Sequence, residues 1–485
     1  MALFSFLDRE HSVAKPGYNR WLVPPAALAI HLCIGQIYAY SVFNKPMTQL
    51  VGITESSAQD WKLTTLGWIF SIALFTLGAS AALFGKWLER VGPRKAMFAS
   101  SLCFSGGFFI AALGIHLHQI WLVYLGHGVV GGIGLGLGYI SPVSTLIKWF
   151  PDRPGMATGM AIMGFGGGAM IASPLSVALM DAFKSATSTG VGEAFLIMGA
   201  LYFVFMMFGV FTVRVPAAGW KPAGWTPPAA SRRHLVSSGQ VDADTAIRTP
   251  QFYLLFGVLM LNVTAGIGVL GQASVMIQEM FSAASVGQQM AVSAAAAGGF
   301  VGLLSLFNMV GRFFWSSLSD NIGRKNTYNI FFLLGALLYF AIPSIGDAGS
   351  IVFFVLCFGL IMSMYGGGFA TIPAYLRDMF GTMQVGAIHG RLLLAWSAAA
   401  ILGPVLVNYI RAYQIETLQM PAAQAYSITM YIMAGLLLLG FVCNILIRPV
   451  GEQYHHKSAE EAVPSRQPVS TGQLASAAVR LGKKD

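Results

Sequence analysis

Twelve apolar stretches, each long enough to cross about 30 Å of hydrocarbon as a helix, alternate with short polar segments along the chain. They lie near 21–43, 63–84, 96–114, 121–147, 156–180 and 194–213, then near 251–277, 289–315, 328–346, 350–372, 391–410 and 425–447. The pattern predicts an all-α integral membrane protein with its helices in two sets of six. Residues 1–19 are polar and run directly into a full-length span with no small-residue cleavage signal, so they read as a cytoplasmic segment and not a secretory signal peptide. The first bundle then covers 20–214, a Pro/Ala/Ser-rich cytoplasmic linker 215–250, the second bundle 251–447, and a disordered cytoplasmic tail 448–485.

Composition agrees with that pattern. Of 485 residues, 55% are hydrophobic and 10% charged, against the roughly 25% charged of soluble proteins. The 56 glycines suit helices that approach closely in lipid. A net charge of +10 raises the question of nucleic acid, but the cations are scattered through short loops. Of the 29 Lys and Arg, 24 fall in segments that share one side of the membrane when both termini are cytoplasmic. Lys45, Lys62, Lys184 and Arg411 fall on the other side. This asymmetry is a topology signal, and nucleic-acid binding is rejected. Cys33, Cys103, Cys357 and Cys443 all sit in apolar runs without metal-ligand spacing and read as reduced packing residues. No metal and no cofactor is expected.

Candidate chemistry concentrates in Asn308 to Asn326, NMVGRFFWSSLSDNIGRKN. Arg312 lies within an apolar run, and no Asp or Glu occurs between Glu279 and Asp320. A cation at membrane depth costs at least ~3 kcal/mol, so it needs a compensating charge, most simply an anion in transit. The second part, Ser316–Asn326, reads as a polar turn. It repeats an earlier segment, Gly85–Lys95, with Glu89 matching Asp320, Gly92 matching Gly323 and Arg94 matching Lys325. Two copies at equivalent places in two six-helix halves point to gating turns, with Gly85, Glu89, Arg90, Gly92 and Arg94 in one and Asp320, Gly323 and Arg324 in the other.

These two turns resemble the signature loop of the major facilitator superfamily, with Glu89 in place of the usual Asp and Ser316 in place of the usual Gly. Within it the chain resembles the oxalate/formate antiporter family, a relative of the monocarboxylate porters. The resemblance spans roughly residues 20–447 and rests on GQIYAYSVFNKP (35–46), KWFPDRPGMATG (148–159), RTPQF (248–252), NMVGRFFWSSLSDNIGR (308–324) and YGGGFATIP (365–373). It implies two bundles around a central cavity with alternating access. It also implies two substrate cations, an Arg in the eighth helix and a Lys in the eleventh. Arg312 matches the first, whereas Trp396 occupies the position of the second. A lone guanidinium can hold one carboxylate bidentately, which favours a monoanion over a dianion.

The resemblance places Tyr38, Tyr139, Phe165, Tyr365 and Phe369 on the cavity lining, with Tyr365 and Phe369 sharing a helix face. Asn308, one turn before Arg312, replaces the Asp that monocarboxylate porters often use for proton coupling. His31, seven residues before Tyr38, and His127 are the titratable alternatives within spans. Gly126–Gly131 fits G-x-G-x-x-G but lies inside an apolar helix with no preceding strand, so it reads as helix packing. The helix-four Arg and following Gln-Gly pair of drug/proton antiporters are replaced by Tyr124 and His127-Gly128. No nucleophile–base pair with enzyme-like spacing occurs. The expected function is secondary transport of formate-, lactate- or pyruvate-like monocarboxylates, with oxalate as a further family substrate, by anion exchange or proton symport. The expected partners are the lipid bilayer, a carboxylate and a proton, and the expected unit is a monomer in the inner (plasma) membrane. A carrier of neutral solutes or drugs and a non-transporting solute sensor are the alternatives.

Overall fold

The computed structural model describes residues 2–226, 236–237, 239–270, 273–287 and 291–456. Twelve helices among them are long and apolar enough to cross a membrane: α1 Arg20–Tyr40, α2 Thr65–Val91, α3 Pro93–His116, α4 Ile120–Trp149, α5 Pro154–Phe183, α6 Val191–Thr212, α7 Pro250–Gly268, α8 Gly299–Ile322, α9 Arg324–Asp347, α10 Ile351–Phe380, α11 Val385–Thr417 and α12 Ser427–Leu446. In hydrocarbon every backbone N–H and C=O must be paired internally, which is why the long apolar runs become helices. Residues 227–235 and 238 of the expected linker, and 457–485 of the expected tail, lie outside the described residues.

Departures from straight α-helix mark the interior. The first helix is α-helical over Pro24–Ile34 and then tightens to 3-10 geometry over Gly35–Phe43. In α4, the glycine-rich Tyr124–Val130 widens into a π segment. Such segments shift the side-chain register locally and favour functional regions. The expected seventh span is shorter than its apolar run: α7 is followed by a separate helix, Ala273–Met280.

One expectation is corrected. Ser316–Asn326 is not a polar turn, because the helix continues to Ile322 and only Gly323 reverses the chain. The hydroxyls of Ser316 and Ser319 donate back to the carbonyls of Arg312 and Ser316, so these polar residues are satisfied without leaving the helix. The earlier copy behaves alike, with helix to Val91 and the reversal at Gly92. Gly92 and Gly323 have φ of 88° and 86° with extended ψ, an essentially glycine-only region that a side chain enters at a cost of about 1–3 kcal/mol.

The repeat extends to the partners of these turns. Arg94 donates to Val213 O just past α6, and Lys325 donates to Ile447 O just past α12. Arg94 also holds the Phe6 and His11 carbonyls, so both ends of the described chain reach this face, here called the terminal face. Contacts between the first six and last six helices are paired in the same way. α2 packs along α11, and α5 packs along α8.

Candidate functional site

Arg312 is fully buried at the middle of α8. Its Nε donates to Asn308 Oδ1 at 2.9 Å, one turn earlier on the same helix. Its Nη1 reaches across to Ile162 O of α5 at 3.4 Å. Phe165 and Phe369 lie 5.7 and 5.4 Å from the guanidinium carbon, offering ring faces to the cation. Nη2 has no hydrogen-bond partner within the protein. Close packing of α10 makes this seat narrow: a Cβ on Gly366 would come within 2.3 Å of Asn308 O and 3.1 Å of Arg312 Cγ.

The aromatic residues expected on the lining converge on this guanidinium. Phe165 makes edge contacts with Tyr38 (4.9 Å between centroids) and Tyr139 (5.6 Å). Tyr365 and Phe369 are 5.5 Å apart, and Phe369 lies 5.0 Å from Trp396. Trp396 in turn faces Tyr139 and Phe165, each at 6.1 Å. Tyr38 lies within interacting range of both Arg312 and Tyr365. Three helices of the first half (α1, α4 and α5) and three of the second (α8, α10 and α11) therefore meet around one cation.

Several polar atoms in this cage are buried without partners: Arg312 Nη2, Tyr139 Oη, Tyr365 Oη and Trp396 Nε1. Leaving one such group unsatisfied costs about 1–3 kcal/mol. Above the cage, a cavity of about 330 Å³ runs from Tyr38 and Asn308 past Tyr40, Phe70, Ile267 and Ser305. It occupies the half of the bundle away from the terminal face, and no Asp or Glu lines it among the described residues.

On the terminal side the two halves are bonded together. Asp320 accepts from the amides of Gly155 and Met156, both at 2.8 Å, capping the start of α5. Glu89 accepts from Gly386 N at 3.0 Å at the start of α11 and from Lys148 at 2.7 Å. Carboxylates at helix N-termini are favourable through both the free amides and the helix dipole. Arg324 is buried between Asp320 (2.6 Å), Asp378 (3.0 Å) and Ser319. Gly85 lies against Ala387 of α11. Arg90 is exposed and takes no part in this closure.

His31 is buried beside the cage, its ring 5.5 Å from Tyr139. His127 instead stacks among Tyr40, Phe108 and Phe195 inside the first half. Sequence reasoning missed His389. It lies two turns before Trp396 on α11, is buried with Nε2 unpartnered, and sits 5.8 Å from Tyr139. Its seven-residue spacing from Trp396 was the available signal.

The model of the Major Facilitator Superfamily matches residues 26–404 and 276–481. The chain belongs to the Major Facilitator Superfamily, a family of transporters and not enzymes. It is 24% identical over 387 residues to the uncharacterized MFS-type transporter YhjX of Escherichia coli strain K12, covering 79% of this chain and 86% of the relative. It is likewise 24% identical over 387 residues to the oxalate:formate antiporter of Oxalobacter formigenes, covering 79% and 83%. The fold resembles that of the proton:xylose symporter XylE with a TM-score of 0.63 at 16% identity, over 88% of this chain and 95% of the other.

Proposed function

We propose that this transporter carries small monocarboxylates by alternating access, with the carboxylate held at Arg312. The observation that carries the proposal is the buried guanidinium with Nη2 unpartnered, enclosed by aromatic rings and, among the described residues, beside a cavity lined by no Asp or Glu. A carboxylate can take charge-assisted hydrogen bonds from Arg312 while Tyr38, Tyr139, Tyr365 and Trp396 offer further donors. Asn308 positions the guanidinium, and Phe165 and Phe369 sandwich it. A neutral solute or drug would leave the cation uncompensated, which argues against those cargoes.

Specificity for a single charge follows from counting. The relative named for oxalate and formate has substrates of both charges, and here Trp396 occupies the position of the second family cation. The ring adds bulk and one N–H but no charge, so oxalate would keep an unmatched carboxylate in a low-dielectric site. The terminal face corresponds to the cytoplasm by the positive-inside distribution, with the protein in the inner (plasma) membrane. The closure made by Glu89 and Asp320 then belongs to a state open away from the cytoplasm, and breaking it exposes the site inward.

The test is counterflow of labelled formate, lactate, pyruvate and oxalate in proteoliposomes. Exchange of the monocarboxylates, with oxalate competing weakly, is the expected result. Absence of carboxylate counterflow, with flux of a neutral solute instead, would overturn the reading.

A further inference from the structure

We infer that His31 carries a coupling proton that is taken up together with the carboxylate, an inference that rests on the carboxylate reading of Arg312. His31 Nδ1 meets Ala161 O, and its Nε2 meets Tyr139 O at 3.2 Å. Gly138 O lies close by. Carbonyl oxygens only accept, and a neutral imidazole has one N–H, so one of these contacts lacks a proton in the neutral form. The imidazolium donates at both nitrogens and satisfies both carbonyls without moving the ring. Rotating the ring by half a turn would present carbon atoms to both oxygens and forfeit both bonds. The pocket therefore holds a carbonyl acceptor for each N–H of a doubly protonated His31.

The same backbone ties this proton to the substrate. Ala161 O faces His31, and the next carbonyl of α5, Ile162 O, accepts from Arg312. Arg312 is near enough to His31 for their charges to interact. The other titratable groups facing the ring among the described residues are Tyr139 from α4 and His389 from α11. None is a carboxylic acid, so no described residue neutralises an imidazolium there. With Arg312 unoccupied, a proton on His31 places two cations together in a dry site. A carboxylate on Arg312 cancels one of them and favours protonation. By linkage, protonation of His31 favours carboxylate binding to the same degree. Anion and proton then cross as a neutral pair, the proton entering from solvent on the side where the cavity is open and leaving when the halves part on the other.

The experiment uses the full-length protein in proteoliposomes, with formate as probe. An imposed pH gradient, acid on the side where formate is supplied, drives accumulation in the wild type. His31→Gln loses gradient-driven accumulation yet retains formate counterflow, because exchange moves the loaded carrier without releasing its proton. His389→Gln, which removes the other imidazole near the cage, retains accumulation. Accumulation that survives in H31Q, or that is lost in H389Q and not in H31Q, overturns the assignment. Wild type that exchanges formate but ignores the pH gradient overturns the proton inference and leaves the carboxylate reading standing. Failure of formate counterflow in the wild type removes the carboxylate reading itself.

Should H31Q fail to fold, a second measurement decides. Formate added to weakly buffered purified protein is accompanied by proton uptake, read with a pH indicator. Uptake that persists in a H127Q/H389Q double variant, which removes the other two histidines buried within described spans, supports His31. Uptake abolished by that variant contradicts it.

Discussion

At the scale of single residues, a guanidinium sandwiched between Phe165 and Phe369 with its Nη2 unpartnered makes a sharp demand on its ligand. Arg312→Lys keeps the charge but loses the planar fork. Losing one charge-assisted hydrogen bond, worth about 1.5–3 kcal/mol, should weaken formate affinity by roughly tenfold to a hundredfold, measured by competition in proteoliposomes. Trp396→Lys should raise the preference for oxalate over formate in the same assay, since an ammonium would stand where the indole now contacts Phe369. An unchanged ranking would contradict the one-cation account of selectivity. Arg312 was legible in the sequence because an acid-free apolar run isolates it, and the aromatic positions came with the family resemblance. His389 was not, because seven-residue spacing on a small-residue helix is weak until its neighbour across the seam, Tyr139, is known.

At the scale of elements, the two copied turns join halves of the molecule by capping helices: Glu89 the start of α11 and Asp320 the start of α5. Glu89→Ala or Asp320→Ala should change turnover while leaving the ranking of competing substrates intact, measured as initial rates against a fixed substrate panel. A changed ranking would place these carboxylates in the binding site. Gly323→Ala forces a side chain into φ of 86° and should destabilise the protein by about 1–3 kcal/mol, read by thermal unfolding in detergent. A further tie is formed by the short helix Ala243–Ala246, where Asp244 bonds Lys86 of α2 and Arg391 of α11. Hydrogen bonds from Lys86 and Arg391 lower its carboxyl from the ordinary 3.8 to about 2. A depressed carboxyl contributes above its ordinary value and loses that contribution as pH falls through the depressed one. The Asp244 tie should therefore hold unchanged from about pH 5 to 8, measured by labelling of a cysteine placed at the terminal face. The sequence indicated the repeated turns through their acid, glycine and cation. It did not indicate that SSLSDNI stays helical, because hydroxyls bonding back to the helix leave no mark in polarity patterns. The Asp244 tie joins residues more than a hundred positions apart and was equally invisible.

At the scale of the whole molecule, the twelve apolar runs led directly to the twelve helices, since bilayer thickness fixes both length and composition. The interior break in the first helix and the π segment of α4 were hidden within uniformly apolar sequence. Electrical balance is the remaining constraint. Moving a lone monoanion into a negative interior opposes about 2.3 kcal/mol per 100 mV, which exchange or proton co-transport removes. Uptake should therefore depend little on clamped membrane potential when a counter-substrate or pH gradient is present. The most direct test of the central claim is formate counterflow in proteoliposomes bearing wild type or Arg312→Ala, with correct insertion checked for both. The account predicts exchange in the wild type and none above empty liposomes in R312A. Exchange by R312A at the wild-type rate would contradict it.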